Sequence, residues 1–198
     1  MSDITTNPIR IALTGKLRSG KSTIADILWL NYDFEKVSFA TTLRQVAELL
    51  FGHMHEYNNE SPTGYSKPRA LLQTLGQKMR EIDEDVWVRQ AEQAVLWAED
   101  SRRTAGVVID DLRQPNEYEW ARANGFIIIR VEADEALRLK RAEQAGDSFS
   151  EEDMAHDTEQ HVDKFDVDYT IVNNGDMDEL ERQVDEIMSD IKATNRRA

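Results

Sequence analysis

The sequence predicts a three-layer α/β domain, a five-stranded parallel sheet covered by helices on both faces. Three observations predict it. Five short apolar runs alternate with stretches of helical periodicity. The first run passes through a glycine-bracketed turn directly into an amphipathic segment. No internal repeat and no Pro/Gly/Ser-rich linker divides the 198 residues, so one domain spanning 1–198 is expected.

Each element follows from local pattern. Ile9-Arg-Ile-Ala-Leu13 is rich in branched apolar residues and reads as a buried strand. Ile24, Ile27, Leu28 and Leu30 suit the helix after it. Val37-Ser-Phe-Ala40 reads as a second strand, and Leu43, Val46, Ala47 and Leu50 as a helix stopped by Gly52. From Pro68 to Ala98 the pattern stays helical, with an acidic break at Glu81–Asp85. Val107-Val-Ile109 is a third strand ending in Asp110-Asp111. A short helix from Asn116, closed by Gly125, leads to the strand Phe126–Val131, and Asp134 opens the helix holding Arg138, Lys140 and Arg141. Tyr169–Val172 is the fifth strand. Leu180, Val184, Ile187, Met188 and Ile191 give the last helix one apolar face.

Composition excludes several functions. With 24 Lys+Arg against 38 Asp+Glu, the formal charge of −14 opposes binding to nucleic acid or to anionic membranes. No apolar run approaches the ~18–20 residues of a membrane span, and MSDITTNPIR shows no apolar signal region. The absence of cysteine removes disulfides, thiolate metal sites and thiol nucleophiles, and fits a cytoplasmic setting. His53, His55, His156 and His161 are too scattered for a zinc site.

Gly15-Lys-Leu-Arg-Ser-Gly20-Lys21-Ser22 is a complete G-x-x-x-x-G-K-[ST] phosphate loop between a predicted strand and helix. The glycines let the backbone wrap around phosphates, so that N–H groups and the following helix N-terminus face negative charge. Lys21 is the expected catalytic cation on the β- and γ-phosphates, and the Ser22 hydroxyl the expected Mg²⁺ ligand. Gly15, Lys16, Arg18, Ser19, Gly20, Lys21, Ser22 and Thr23 form the expected ATP-binding set. A second metal-holding acid is expected at the end of another strand, where Asp110 and Asp111 stand; spacing favours Asp110 without settling between them. Arg113, two residues on, is placed to clamp a phosphoryl group or to pair with the neighbouring acids.

An acceptor region is expected over about residues 41–100. Arg69, Gln73 and Arg80 fall on one helical face, with Gly76 on or near it, admitting something flat. A solvated amphipathic surface is the plainer alternative. Arg138 and Arg141 lie one turn apart and head a stretch, about 138–168, that reads as a lid. Within it Asp147–Asp168 carries nine acidic residues and one Lys, equally a solvated helix pair.

These residues resemble phage-type deoxynucleoside monophosphate kinases. The resemblance rests on Gly15-Lys-x-x-Ser-Gly-Lys21, Ser38-Phe-Ala-x-x-Leu43-Arg44, Arg69…Gln73…Gly76…Arg80 with Trp87, Asp111-x-Arg113-x-Pro115-Asn116-Glu117, and Asn173-Asn174-Gly175. It runs from about Ile9 to Ile191. It implies a P-loop fold like that of nucleoside monophosphate kinases, with transfer of the ATP γ-phosphate to a dNMP. It further implies Arg44, Arg69, Gln73, Arg80, Trp87 and Asp111 at the acceptor, Arg113, Arg138 and Arg141 in catalysis, and ATP and dNMP as partners, with a homodimer left open and a phage host's cytoplasm as one setting. Thr41-Thr42 and the Lys21-Ser22 pair depart from the family pattern and bear on base specificity. A kinase for phosphomevalonate or dephospho-CoA, or a P-loop ATPase or switch without acceptor, are the alternatives. No guanine-reading Asn-Lys-x-Asp segment is present.

Overall fold

Strand β1 (Ile9–Thr14) is fully buried over its last four residues because a strand lies on each side of it and helices cover both faces. The computed structural model describes residues 8–52, 56–57, 65–66, 69–100, 104–145 and 161–195. The chain runs from β1 through helix α1 (Lys21–Tyr32), β2 (Phe34–Val37) and α2 (Ala40–Phe51) to a two-stranded antiparallel pair, β3 (Glu56–Tyr57) and β4 (Tyr65–Ser66). Helices α3 (Arg69–Ile82) and α4 (Val86–Asp100) follow, then β5 (Gly106–Leu112), α5 (Pro115–Ala123), β6 (Ile127–Glu132) and α6 (Glu135–Gln144). A 3₁₀ turn at Val162–Lys164, β7 (Tyr169–Val172) and α7 (Met177–Asn195) complete it. The five-stranded sheet has the order β2-β5-β1-β6-β7, and all four of its pairings are parallel.

The period-2 alternation of the strands sorts side chains into two cores. Ile11, Leu13, Val108, Ile129 and Val131 pack beneath α1 and α7, meeting Ile24, Leu28, Leu180, Val184 and Met188. Ala12, Val107, Ile109 and Ile128 face the other way, against Val88, Ala91 and Val95 of α4 and Ala121 of α5. One bidentate ion pair, Arg10 to Glu99, ties β1 to α4.

Three sequence expectations shift, and one strand pair has no counterpart in the sequence reading. The second strand occupies Phe34–Val37 instead of Val37–Ala40, because the Asp111 carboxylate accepts hydrogen bonds from Ser38 Oγ, Phe39 N and Ala40 N and turns the chain into α2. Asp110 and Asp111 lie inside β5, which runs on to Leu112, rather than beyond it. The β3–β4 pair carries too few residues for a periodic signal. The acidic stretch is not wholly solvated: Val162 is buried and Phe165 nearly so, both in the second core. Residues 146–160, the middle of the expected lid, lie outside the described residues.

Candidate active site

The phosphate loop rises from the C-terminal end of the central strand. Gly15 (φ +139°) and Gly20 (φ +109°) hold left-handed backbone that side-chain-bearing residues rarely adopt. Both are also tightly enclosed. A Cβ at Gly15 would stand 2.2 Å from the Val131 carbonyl oxygen, and one at Gly20 would stand 2.1 Å from Asn173 Nδ2. Between them Arg18 takes φ +59°, and Ser19 N donates to Lys16 O. Gly20 caps α1, so the helix N-terminus opens directly onto the loop.

Lys21 is the first residue of α1 and only 7% exposed. Its ammonium donates to Gly15 O at 2.6 Å and Lys16 O at 2.9 Å, spanning the loop it closes. Ser22 Oγ donates to Asp110 Oδ2 at 2.9 Å. Burial, with Asp111 alongside, raises the Asp110 carboxyl above its ordinary value, opposed by Ser22, Arg44 and Lys21. Asp110 and Asp111 thus face different partners. Asp110 meets the phosphate loop; both oxygens of Asp111 are engaged by the start of α2.

Ser22 and Asp110 are adjacent hard oxygen donors that fit Mg²⁺ shared with phosphates and water. Among the described residues no group of three or more His, Cys, Asp or Glu could hold a metal ion. A divalent ion held by Ser22 and Asp110 would complete its shell with water or nucleotide phosphate oxygens.

A cleft of about 510 Å³ gathers Arg18, Gly20, Lys21, Ser22 and Thr23 with Arg44 of α2, Asp110, Asp111, Arg113 and Arg141. Its far wall is Asn173, Gly175, Asp176, Met177 and Leu180. Arg141 donates to the Asn173 backbone oxygen and to Asn173 Oδ1, while Asn173 Nδ2 donates to Ser19 O at 2.8 Å. Desolvation lowers the Arg141 guanidinium from its ordinary value. Arg138 reaches the Leu17 carbonyl and lines a smaller adjoining cleft with Gly15 and Lys16, whose ammonium pairs with Asp163. Ser19 belongs to the loop through its backbone; its side chain is 1% exposed and its hydroxyl buried without a hydrogen-bond partner.

The acceptor stripe departs more from expectation. Arg69 opens α3, but its side chain lies outside what is described. Gln73 and Arg80 are half-buried on the same helix, and Arg80 Nη2 lies 3.5 Å from Glu117 Oε1. At Gly76 a Cβ would stand 3.1 Å from Leu43 Cδ2, so the close approach this glycine allows in the structure is that of α2. Trp87, expected at the acceptor, is 3% exposed, and its indole N–H donates to Gly76 O. It packs α4 against α3. Asn173, which the sequence offered only as part of an Asn-Asn-Gly turn, is the residue that joins loop, last strand and α6.

A family model for the AAA domain matches residues 11–160, taking in the phosphate loop, Asp110 and the arginines of α6. The chain belongs to the AAA domain family. Its fold, a five-stranded parallel sheet with a P-loop, is that of the kinase-like P-loop proteins. TT1252 from Thermus thermophilus is similar at 21% identity and a TM-score of 0.61, over 93% of this chain and 98% of that one. A dephospho-CoA kinase from Campylobacter jejuni is similar at 18% identity and a TM-score of 0.51, over 94% and 98%. No curated protein matches the sequence. No helix among the described residues is long and apolar enough to cross a membrane.

Proposed function

We propose that this AAA-domain chain is an ATP- and Mg²⁺-dependent kinase that phosphorylates deoxynucleoside monophosphates to diphosphates. The observation that carries the reading is the convergence on one cleft of the phosphate loop, the Ser22–Asp110 pair and three arginines, Arg44, Arg113 and Arg141, from three separate elements. Hydrolysis also uses an arginine on the transferring phosphate, but transfer between two anionic substrates must neutralise the acceptor as well, because their phosphates repel until neutralised.

In this reading the loop backbone and Lys21 bind the donor triphosphate, Lys21 leaving the carbonyls of Gly15 and Lys16 for phosphate oxygens. Ser22 and Asp110 would hold Mg²⁺, whose chemistry there would be to neutralise charge on the donor phosphates. Arg113, at the edge of β5, and Arg141, at the base of the lid, act as catalytic residues on the transferring group, with Arg138 beside them. Arg44, Arg69 and Gln73 take the acceptor. A phosphate acceptor is already ionised near neutral pH, so the site needs no general base. The fold likeness to a dephospho-CoA kinase places dephospho-CoA among the acceptors to be compared.

The test is direct. The protein, incubated with ATP, Mg²⁺ and in turn each dNMP, each NMP, phosphomevalonate and dephospho-CoA, is assayed for ADP and phosphorylated acceptor. Formation of dNDP at the highest kcat/KM is expected. Transfer only to a non-nucleotide acceptor, or ADP release without any acceptor product, overturns it.

A further inference from the structure

We propose that Glu117 is a positioning residue that locks the acceptor helix α3 to the loop bearing Arg113, a role that rests on the kinase reading above. Glu117 is the third residue of α5 and is 3% exposed, unusual for a charged residue in a first helical turn. Its two oxygens serve different structures. Oε2 accepts from the backbone N–H of Arg113 and of Gln114, both at 3.0 Å, fixing the turn that carries Arg113 into the cleft. Oε1 lies 3.5 Å from Arg80 Nη2 on α3.

A capping box alone does not explain this arrangement. The cap accounts for the bonds to Oε2, but not for Oε1, whose partner Arg80 stands on a different helix. Here a carboxylate is buried at the seam between α3 and α5, and burial, then Asp111, push its protonation upward while Gln114, Arg113 and Arg80 oppose them. The neighbouring residue reinforces the seam: Asn116 Nδ2 donates to Glu84 O and Asp85 Oδ1 at the α3–α4 corner, both at 3.0 Å. One turn of chain therefore anchors both the Arg113 loop and the far end of the acceptor helix. Arg80 is thereby held as part of this joint rather than presented to a ligand.

The test separates the joint from the cap. Glu117→Gln keeps an oxygen for the two backbone N–H groups but turns an amide donor toward Arg80; Arg80→Met removes the other partner, and Arg80→Lys keeps the charge. Each of the first two variants is expected to raise the acceptor KM about tenfold, with the KM for ATP within about twofold of wild type. The double variant is expected to be no worse than either single one, and Arg80→Lys to recover part of the loss. The proposal is overturned by equal rises in both KM values, by a lowered Tm with both KM values unchanged, or by losses that multiply in the double variant. If Glu117→Gln does not fold, the contrast between Arg80→Met and Arg80→Lys decides alone. A wild-type protein that transfers phosphate to no monophosphate fails the kinase reading and takes this role with it; an active wild type whose variants behave otherwise fails this role only.

Discussion

Ser22 Oγ and Asp110 Oδ2 stand 2.9 Å apart although they are separated by most of the first half of the chain. Parallel pairing of β1 with β5 brings them together, since the loop after β1 returns Ser22, at the start of α1, to the C-terminal half of β5 where Asp110 stands. Asp110→Asn should cut turnover steeply and raise the Mg²⁺ needed for half-maximal rate, because the amide cannot neutralise the ion. An unchanged Mg²⁺ dependence would assign the ion to another ligand.

The same substitution carries a pH signature. The Asp110 carboxyl is raised in the folded protein by burial and by Asp111, so the native state binds its proton more tightly than the unfolded chain does. Stability from this group is present below the ordinary carboxylate pKa and is lost as pH rises through the raised value. Metal-free Asp110→Asn should therefore melt a few degrees higher than wild type at neutral pH, with the gain vanishing in acid. Melting curves in chelator from acid to neutral pH check the sign; a gain that grows toward acid refutes it.

Lys21→Met should abolish phosphoryl transfer while the protein still folds. The ammonium is tied to two loop carbonyls, Gly15 O and Lys16 O, and methionine keeps the length and apolar stem of the side chain. Circular dichroism alongside the transfer assay distinguishes a lost cation from a lost fold.

Gly20→Ala tests the cradle itself. Left-handed backbone costs on the order of 1–2 kcal/mol for a residue with a Cβ. The added carbon would in addition meet Asn173 Nδ2 at 2.1 Å, pushing out the side chain that holds Ser19 O. ATP affinity should fall more than tenfold, measured by titration calorimetry, with the KM for the acceptor less affected.

Arg69→Ala and Gln73→Ala probe the acceptor. Loss of a charged fork should raise the dNMP KM more than tenfold, while loss of the amide, which both donates and accepts, should reorder the dNMPs. A merely solvated helix face would change either by no more than about 0.5 kcal/mol. Varying each substrate in turn separates these outcomes.

The phosphate loop is legible in the sequence because its pattern is local. A strand, two glycines, a lysine and a serine in eight residues leave one arrangement, and the structure has the strand before and the helix after. The five strands are legible for a similar reason, since burial on both faces makes each a run of branched residues. What sequence obscures is geometry set by distant partners. Asp111 looks like a ligand residue beside Asp110, yet three donors around Ser38 engage it, and those donors are invisible until β2 lies against β5. Trp87 and Gly76 share the same difficulty: their spacing implies a ligand, whereas a hydrogen bond between them joins two helices.

The central place of β1 has a consequence for how the protein comes into being. Ile9 pairs with Gly106 and Ile11 with Ile127, so the first strand made must wait for partners synthesised much later. Until β5 and β6 leave the ribosome, Ile11-Ala-Leu13 is an unpaired apolar edge exposed to other chains. The phosphate loop has no scaffold in that interval, because its Gly15 packs on Val131 and its Gly20 on Asn173. A nascent chain is thus blind to ATP until nearly all of it has been translated, and nucleotide added during refolding should stabilise the finished state without hastening the early steps.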